Sequence, residues 1–160
     1  MSVVIRKVKT TLQREYRKAG GIPIEEAVDQ AHENLGTLTE QCLARIDAGI
    51  GLVIEVTKEP ARRPSEAELR QLHGLVNEML ACCAAAEIPG FVDTLYAVAR
   101  LVAALMACDT WLEGALTPAV NLLRLARGGM VPPDDLRALI VGIDQCATRI
   151  RAHADYAPYH

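Results

Sequence analysis

"VDQAHENLGTLTEQCLARIDAGIGLVIEV", residues 28–56, is the stretch that decides the fold. Its apolar positions recur every three or four residues: Val28, Ala31, Leu35, Leu38, Cys42, Ile46, Gly49, Val53 and Val56. This spacing places them on one side of an α-helix. The sequence therefore predicts a helix of about thirty residues that faces a partner helix.

Start and stop signals divide the rest of the chain into further helices. Residues 1–20 are predicted to form a basic amphipathic helix that ends at glycine. Ser65 and Glu68 have the capping-box spacing at the start of another helix. Thr117, which precedes a proline, is predicted to be the N-cap of a shorter helix. The tail, residues 154–160, is expected to be loose.

The composition agrees with a helical fold. Hydrophobic residues make up 51% of the 160 residues but aromatic residues only 4%, so the core must consist of aliphatic side chains. No segment alternates between polar and apolar residues over the length of a strand, as a half-buried strand would. We predict a single domain over residues 1–160. Its fold class is all-α, an antiparallel helical bundle of four main helices plus one or two short helices.

Charge is unevenly distributed along the chain. Residues 1–20 contain six basic side chains and one acidic one, whereas residues 21–57 contain seven acidic side chains and one basic one. The opposite charges of these two segments are expected to complement each other within the fold. The whole chain has a net charge of −3 and few aromatic rings for base stacking. We therefore expect no nucleic acid partner.

Cysteine content and hydropathy predict a cytoplasmic protein. The five cysteines are odd in number and include no C-x-x-C pair, which favours reduced thiols that act as small hydrophobic residues. The N-terminus lacks the apolar core of a signal peptide. The most apolar run, residues 91–112, contains Asp93, Arg100 and Asp109. It is predicted to be a buried helix, and we expect no membrane partner.

The sequence predicts no metal or cofactor. No histidine has a second ligand three or four residues away in the arrangement that di-iron bundles use, and no Gly-rich phosphate loop is present. The sequence contains no complete catalytic constellation either. A role without catalysis is therefore the expectation.

The candidate catalytic residue is His32, in "AHENLG", residues 31–36. At 100° per residue, His32 lies roughly 75° from the centre of the apolar stripe. It is therefore expected on the flank of the core, within reach of solvent. Gly36, one turn later, is too small to block an approaching partner. Phosphoryl transfer through histidine needs such an accessible imidazole on a rigid helix.

These residues resemble two families. Histidine phosphotransfer domains have a lysine three residues and a glycine four residues after their histidine; His32 and Gly36 match, while Leu35 replaces the lysine. Dimerisation helices of sensor histidine kinases have His-Glu and then a proline; His32 and Glu33 match, while Thr37 replaces the proline. The resemblance implies that His32 accepts a phosphoryl group, that Glu33 assists proton transfer, and that the partner is an aspartate-bearing receiver domain.

Two functional hypotheses follow. In the first, the protein is a regulatory or adaptor bundle that binds another protein or itself, as a homodimer, through its amphipathic helices. In the second, it is a phosphorelay protein with His32 as the phosphoryl acceptor. The alternative for His32 is an ordinary half-exposed polar residue on a bundle helix. His73 is a poorer relay candidate, because its glycine is at the wrong offset.

Overall fold

The computed structural model describes residues 20–21, 23–108 and 111–155, and these ranges contain five α-helices and no strand. The helices are α1 (Ile24–Val56), α2 (Glu66–Ala86), α3 (Phe91–Ala107), α4 (Thr117–Arg127) and α5 (Pro133–Asp155). The predicted all-α helical bundle is confirmed. Residues 1–19 of the predicted N-terminal helix lie outside the described residues. The same holds for residues 156–160 of the predicted tail. Residues 154 and 155 belong to α5.

Helix α1 is the longest helix of the described chain. Its 33 residues include Gly36 without a break. The sequence allows either a helix end at Gly36 with a new capping box at Thr37 and Glu40, or the continuous helix that the constant phase of the apolar positions favours, and the structure has the continuous helix. The chain divides into two compact units, Met1–Gly36 and Thr37–His160. We call them the N-terminal unit and the bundle unit. The boundary between them therefore falls within α1.

The core of the bundle unit is centred on α3, which packs against α2, α4 and α5. Fully buried side chains of α3 include Phe91, Leu95 and Leu101, and α1 adds Ile46 and Val53 to the same core. The apolar sequence of α3 fits a helix that is covered on several sides. The predicted buried helix is confirmed over residues 91–107, while residues 111 and 112 of the apolar run are not helical. Among the described residues, no helix combines the length and the hydropathy needed to cross a membrane.

Two bidentate ion pairs join helices of the bundle unit. Arg127 on α4 donates through Nε and Nη2 to the two carboxylate oxygens of Asp47 on α1, at 2.8 and 2.9 Å. Arg100 on α3 makes the same contact with Asp144 on α5, at 2.8 Å for both bonds. Such partly exposed pairs contribute about 1 kcal/mol or less each. Their main effect is to fix which turns of the paired helices lie side by side.

The predicted capping box at the start of α2 is confirmed. The backbone N–H of Glu68 donates to Ser65 Oγ at 3.3 Å, and the backbone N–H of Ser65 donates to Glu68 Oε2 at 2.7 Å. Arg62 adds two guanidinium hydrogen bonds to the same carboxylate, at 2.7 and 3.0 Å. The hydrogen bonds from Arg62, and then those from Ser65, lower the pKa of Glu68 from 4.5 to about 2.

The low pKa of Glu68 predicts a defined pH dependence of stability. A carboxyl whose pKa is lower in the folded state stabilises the fold above its unfolded pKa and loses this contribution as the pH falls through its folded pKa. Between pH 4.5 and about 2, the unfolding free energy of the wild type should therefore fall more steeply than that of Glu68→Gln. Urea denaturation at several pH values measures both slopes. A Glu68→Gln curve parallel to that of the wild type would refute the prediction.

The predicted N-cap of α4 is wrong by one residue. Thr117 is already helical, and the N-cap is Leu116, which makes no side-chain capping bond. The backbone N–H of Thr117 donates to the Gly114 carbonyl at 3.0 Å. The turn before α4 therefore runs directly into the helix, with Leu116 itself in the right-handed helical region. The residue at the N-cap position is therefore not extended, and Thr117, which is already within the helix, does not act as the N-cap.

Candidate functional site

The N-terminal unit exposes a row of apolar side chains on one side of α1. Ile24 is 83% exposed, Val28 46% and Leu35 56%. The exposed Ala31 lies between the last two. We call these four residues the α1 stripe. Scattered apolar side chains are common on protein surfaces, but a contiguous row on one helix face is typical of an interaction surface.

The spacing and the charges around the α1 stripe are those of a helix that meets another helix. Ile24, Val28, Ala31 and Leu35 follow one another at intervals of four, three and four residues, which keeps them on one side. Glu26 and Glu33 lie roughly 170° round the helix from the centre of the stripe. The acidic side chains of this segment are therefore directed mostly away from the surface that a partner would cover.

His32 lies on the flank of the α1 stripe, and it is exposed. Gly36, one turn further, is also exposed, and a Cβ added there would meet nothing within 4 Å. Packing therefore does not require glycine at this position. His32, Glu33 and Gly36 share one unbroken helix.

His73 is placed differently from His32. It is half-buried on α2, and its Nδ1 lies 3.1 Å from the side-chain nitrogen of Asn77, which donates to it. One ring nitrogen is therefore occupied within the helix. This contact gives His73 a structural role on the surface of α2.

The structure also brings two thiols together that the sequence does not pair. Cys42 on α1 is half-buried and Cys82 on α2 is 7% exposed; both line a recess of about 370 Å³ between the two helices. Burial raises the pKa of the Cys82 thiol, and its hydrogen bond with Cys42 raises it further. Cys83 is directed elsewhere, since its Sγ donates to the Met79 carbonyl at 3.2 Å. All five cysteines are free thiols.

Within the described ranges, no three His, Cys, Asp or Glu side chains are grouped so that they could hold a metal ion. The features with chemical or binding potential are then the α1 stripe, His32 beside it, and the Cys42–Cys82 pair. Comparison with known proteins adds no assignment to these features: no family model, curated protein or solved structure significantly matches this chain.

Proposed function

We propose that this protein works by self-association, with the α1 stripe of one copy packed against the α1 stripe of a second copy. The observation that supports the proposal is the exposure of Ile24, Val28 and Leu35 on one face of a regular helix. Each such side chain contributes roughly 1.5–3 kcal/mol when it is fully transferred from water to an apolar contact. A symmetric pair of stripes gains this contribution from both copies.

The position of the charges favours a second copy as the occupant of the stripe. Two copies of an acidic helix repel each other when their carboxylates meet at the contact. Here Glu26 and Glu33 lie on the far side of α1, and the positions that flank the stripe are mostly uncharged. The flanking residues are Glu25, Ala27, His32 and Asn34. The alternation of four- and three-residue steps is the pattern of helices that pair along a shared seam.

The test of this proposal is the mass of the protein in solution as a function of its concentration. Sedimentation should show a monomer at low concentration and a dimer at high concentration. A charge placed in the α1 stripe should abolish the dimer.

The five free thiols favour a reducing compartment, and we propose that the protein works in the cytoplasm. Neither the dimer nor this location requires catalysis.

A second candidate function is phosphoryl relay through His32. It is favoured by the exposure of His32 on a helix that continues through Gly36. In this function, an imidazole nitrogen attacks the phosphorus of an aspartyl phosphate on a receiver domain. The aspartate carboxylate leaves, the N–P bond forms, and the imidazole proton passes to a base such as Glu33.

Phosphoryl relay predicts a label that depends on one histidine. Incubation with a receiver domain that carries radioactive phosphate on its aspartate should give acid-labile label in the wild type and none in His32→Ala. His73→Ala removes the half-buried histidine of α2 and should keep the label. No label with a panel of receivers, or label that persists in His32→Ala, would rule out His32 as an acceptor.

A further inference from the structure

The register of α1 against α2 follows from two contacts within the bundle unit. The Thr39 hydroxyl donates to the Ala85 carbonyl at 3.0 Å. Ten residues later on α1, Gly49 lies against Met79, whose Cγ would be 3.0 Å from a Cβ at position 49. Rising numbers on α1 therefore meet falling numbers on α2, so the two helices are antiparallel.

This register places Cys42 and Cys82 at the same level. Cys42 comes three residues after Thr39, and Cys82 comes three residues before Ala85. The hydrogen bond between Thr39 and Ala85 is thus about one turn away from both cysteines. The raised pKa of Cys82, which is caused first by burial and then by Cys42, agrees with this placement.

The two helix backbones approach closely at this level. A threonine side chain is short, so its hydrogen bond to a backbone carbonyl requires the two backbones to be near each other. Small residues permit such an approach: Ala48, Gly49, Ala81 and Ala85 lie along the facing segments. A disulfide needs Cα atoms about 4.4–6.8 Å apart, which helices separated by large side chains do not reach.

The recess gives reagents a route to the thiol pair. It measures about 370 Å³ and is lined by both cysteines together with Arg45 and Glu78. Cys42 is the more exposed of the two thiols. It is therefore the thiol that a reagent in the recess meets first.

We infer that Cys42 and Cys82 form a reversible intramolecular disulfide by exchange with a low-molecular-weight disulfide. The thiolate of Cys42 attacks one sulfur of the small disulfide, forms a mixed disulfide and releases one small thiolate. Cys82 then gives its proton to solvent, and its sulfur attacks the Cys42 sulfur and displaces the second small thiolate. Two protein thiols are oxidised to one disulfide, and the small disulfide is reduced to two thiols.

The consequence of the bond is a covalent link between α1 and α2. The link joins α1 six residues after the boundary between the two units to a point near the end of α2. Intracellular disulfides of this kind are usually transient and redox-sensing. The covalent state of this helix pair would thus depend on the thiol–disulfide balance around the protein.

The test is the reaction of the full-length, reduced protein with oxidised glutathione. The wild type should lose two of its five free thiols, gain no glutathione mass at the end of the reaction, and give a peptide that links Cys42 to Cys82. Dithiothreitol should restore all five thiols. Non-reducing electrophoresis should show a band of monomer size, because the bond is within one chain.

Single serine variants separate the two steps of the exchange. Cys82→Ser should stop at a glutathione adduct on Cys42, and Cys42→Ser should lose both the adduct and the disulfide. Cys83→Ser, the neighbouring buried cysteine, should form the Cys42–Cys82 bond like the wild type. Five retained thiols in the wild type, a disulfide that involves another cysteine, or a link between two chains would overturn the inference.

Discussion

Phe91→Ala is expected to lower the free energy of unfolding by about 3–5 kcal/mol. Phe91 is the first residue of α3 and the only phenylalanine in the chain, and its side chain is 0% exposed. Its removal deletes apolar contacts and leaves a cavity that the surrounding helices fill only partly. Among the described residues, this ring is the largest fully buried side chain, in a core built almost entirely from aliphatic side chains. Urea denaturation followed by circular dichroism measures the loss.

The neighbouring residue provides the matched control for Phe91→Ala. Val92 is on the same turn of α3 but is 38% exposed, so Val92→Ala should cost less than about 1 kcal/mol. Equal losses for the two variants would show that position on the helix, and not burial in the core, determines the effect.

Val28→Glu is expected to raise the dissociation constant of the dimer by at least about 100-fold. The change removes an apolar side chain from the centre of the α1 stripe and adds a charge that must be desolvated on association. In a symmetric dimer both copies carry the change, so its free energy counts twice. Glutamate has a higher helix propensity than valine, so α1 should remain helical.

Gln30→Glu is the matched control for Val28→Glu. It adds the same charge to an exposed position of α1, roughly 130° round the helix from the stripe. It should leave the dissociation constant within about threefold of the wild-type value. Sedimentation of both variants, together with their helical content from circular dichroism, separates the loss of the dimer from the loss of the helix. A comparable weakening by both variants would mean that net charge, and not the stripe, controls association.

Local signals in the sequence predict the helix boundaries only where the side chain itself makes the boundary. The capping box of Ser65 and Glu68 is such a case, because the pattern of residue types is also the pattern of hydrogen bonds. Thr117 is the opposite case. Its predicted role as N-cap failed because the turn at Gly114 continues into α4, which depends on the preceding chain and not on Thr117.

The periodicity of α1 predicts the helix but not which part of it is covered. Leu35 and Ile46 belong to the same series of apolar positions, yet Leu35 is 56% exposed and Ile46 is fully buried. The difference arises because other helices of the bundle unit cover Ile46, and such coverage is not encoded in the local spacing. The stripe also begins at Ile24, one turn before the first position that the sequence pattern identified.

The thiol pair could not be found from the sequence, because 39 residues separate Cys42 from Cys82. Their contact depends on the antiparallel register of α1 and α2, which the Thr39–Ala85 hydrogen bond reveals. The amino-acid sequence alone contains only a weak trace of it, the small residues that recur on both facing segments.

Self-association through the α1 stripe is tested most directly by sedimentation equilibrium of the wild-type protein over a hundredfold range of concentration. We predict a weight-average mass that rises from that of one chain towards that of two, while Val28→Glu stays at the mass of one chain throughout. A wild type that remains strictly monomeric over the whole range would contradict the proposal.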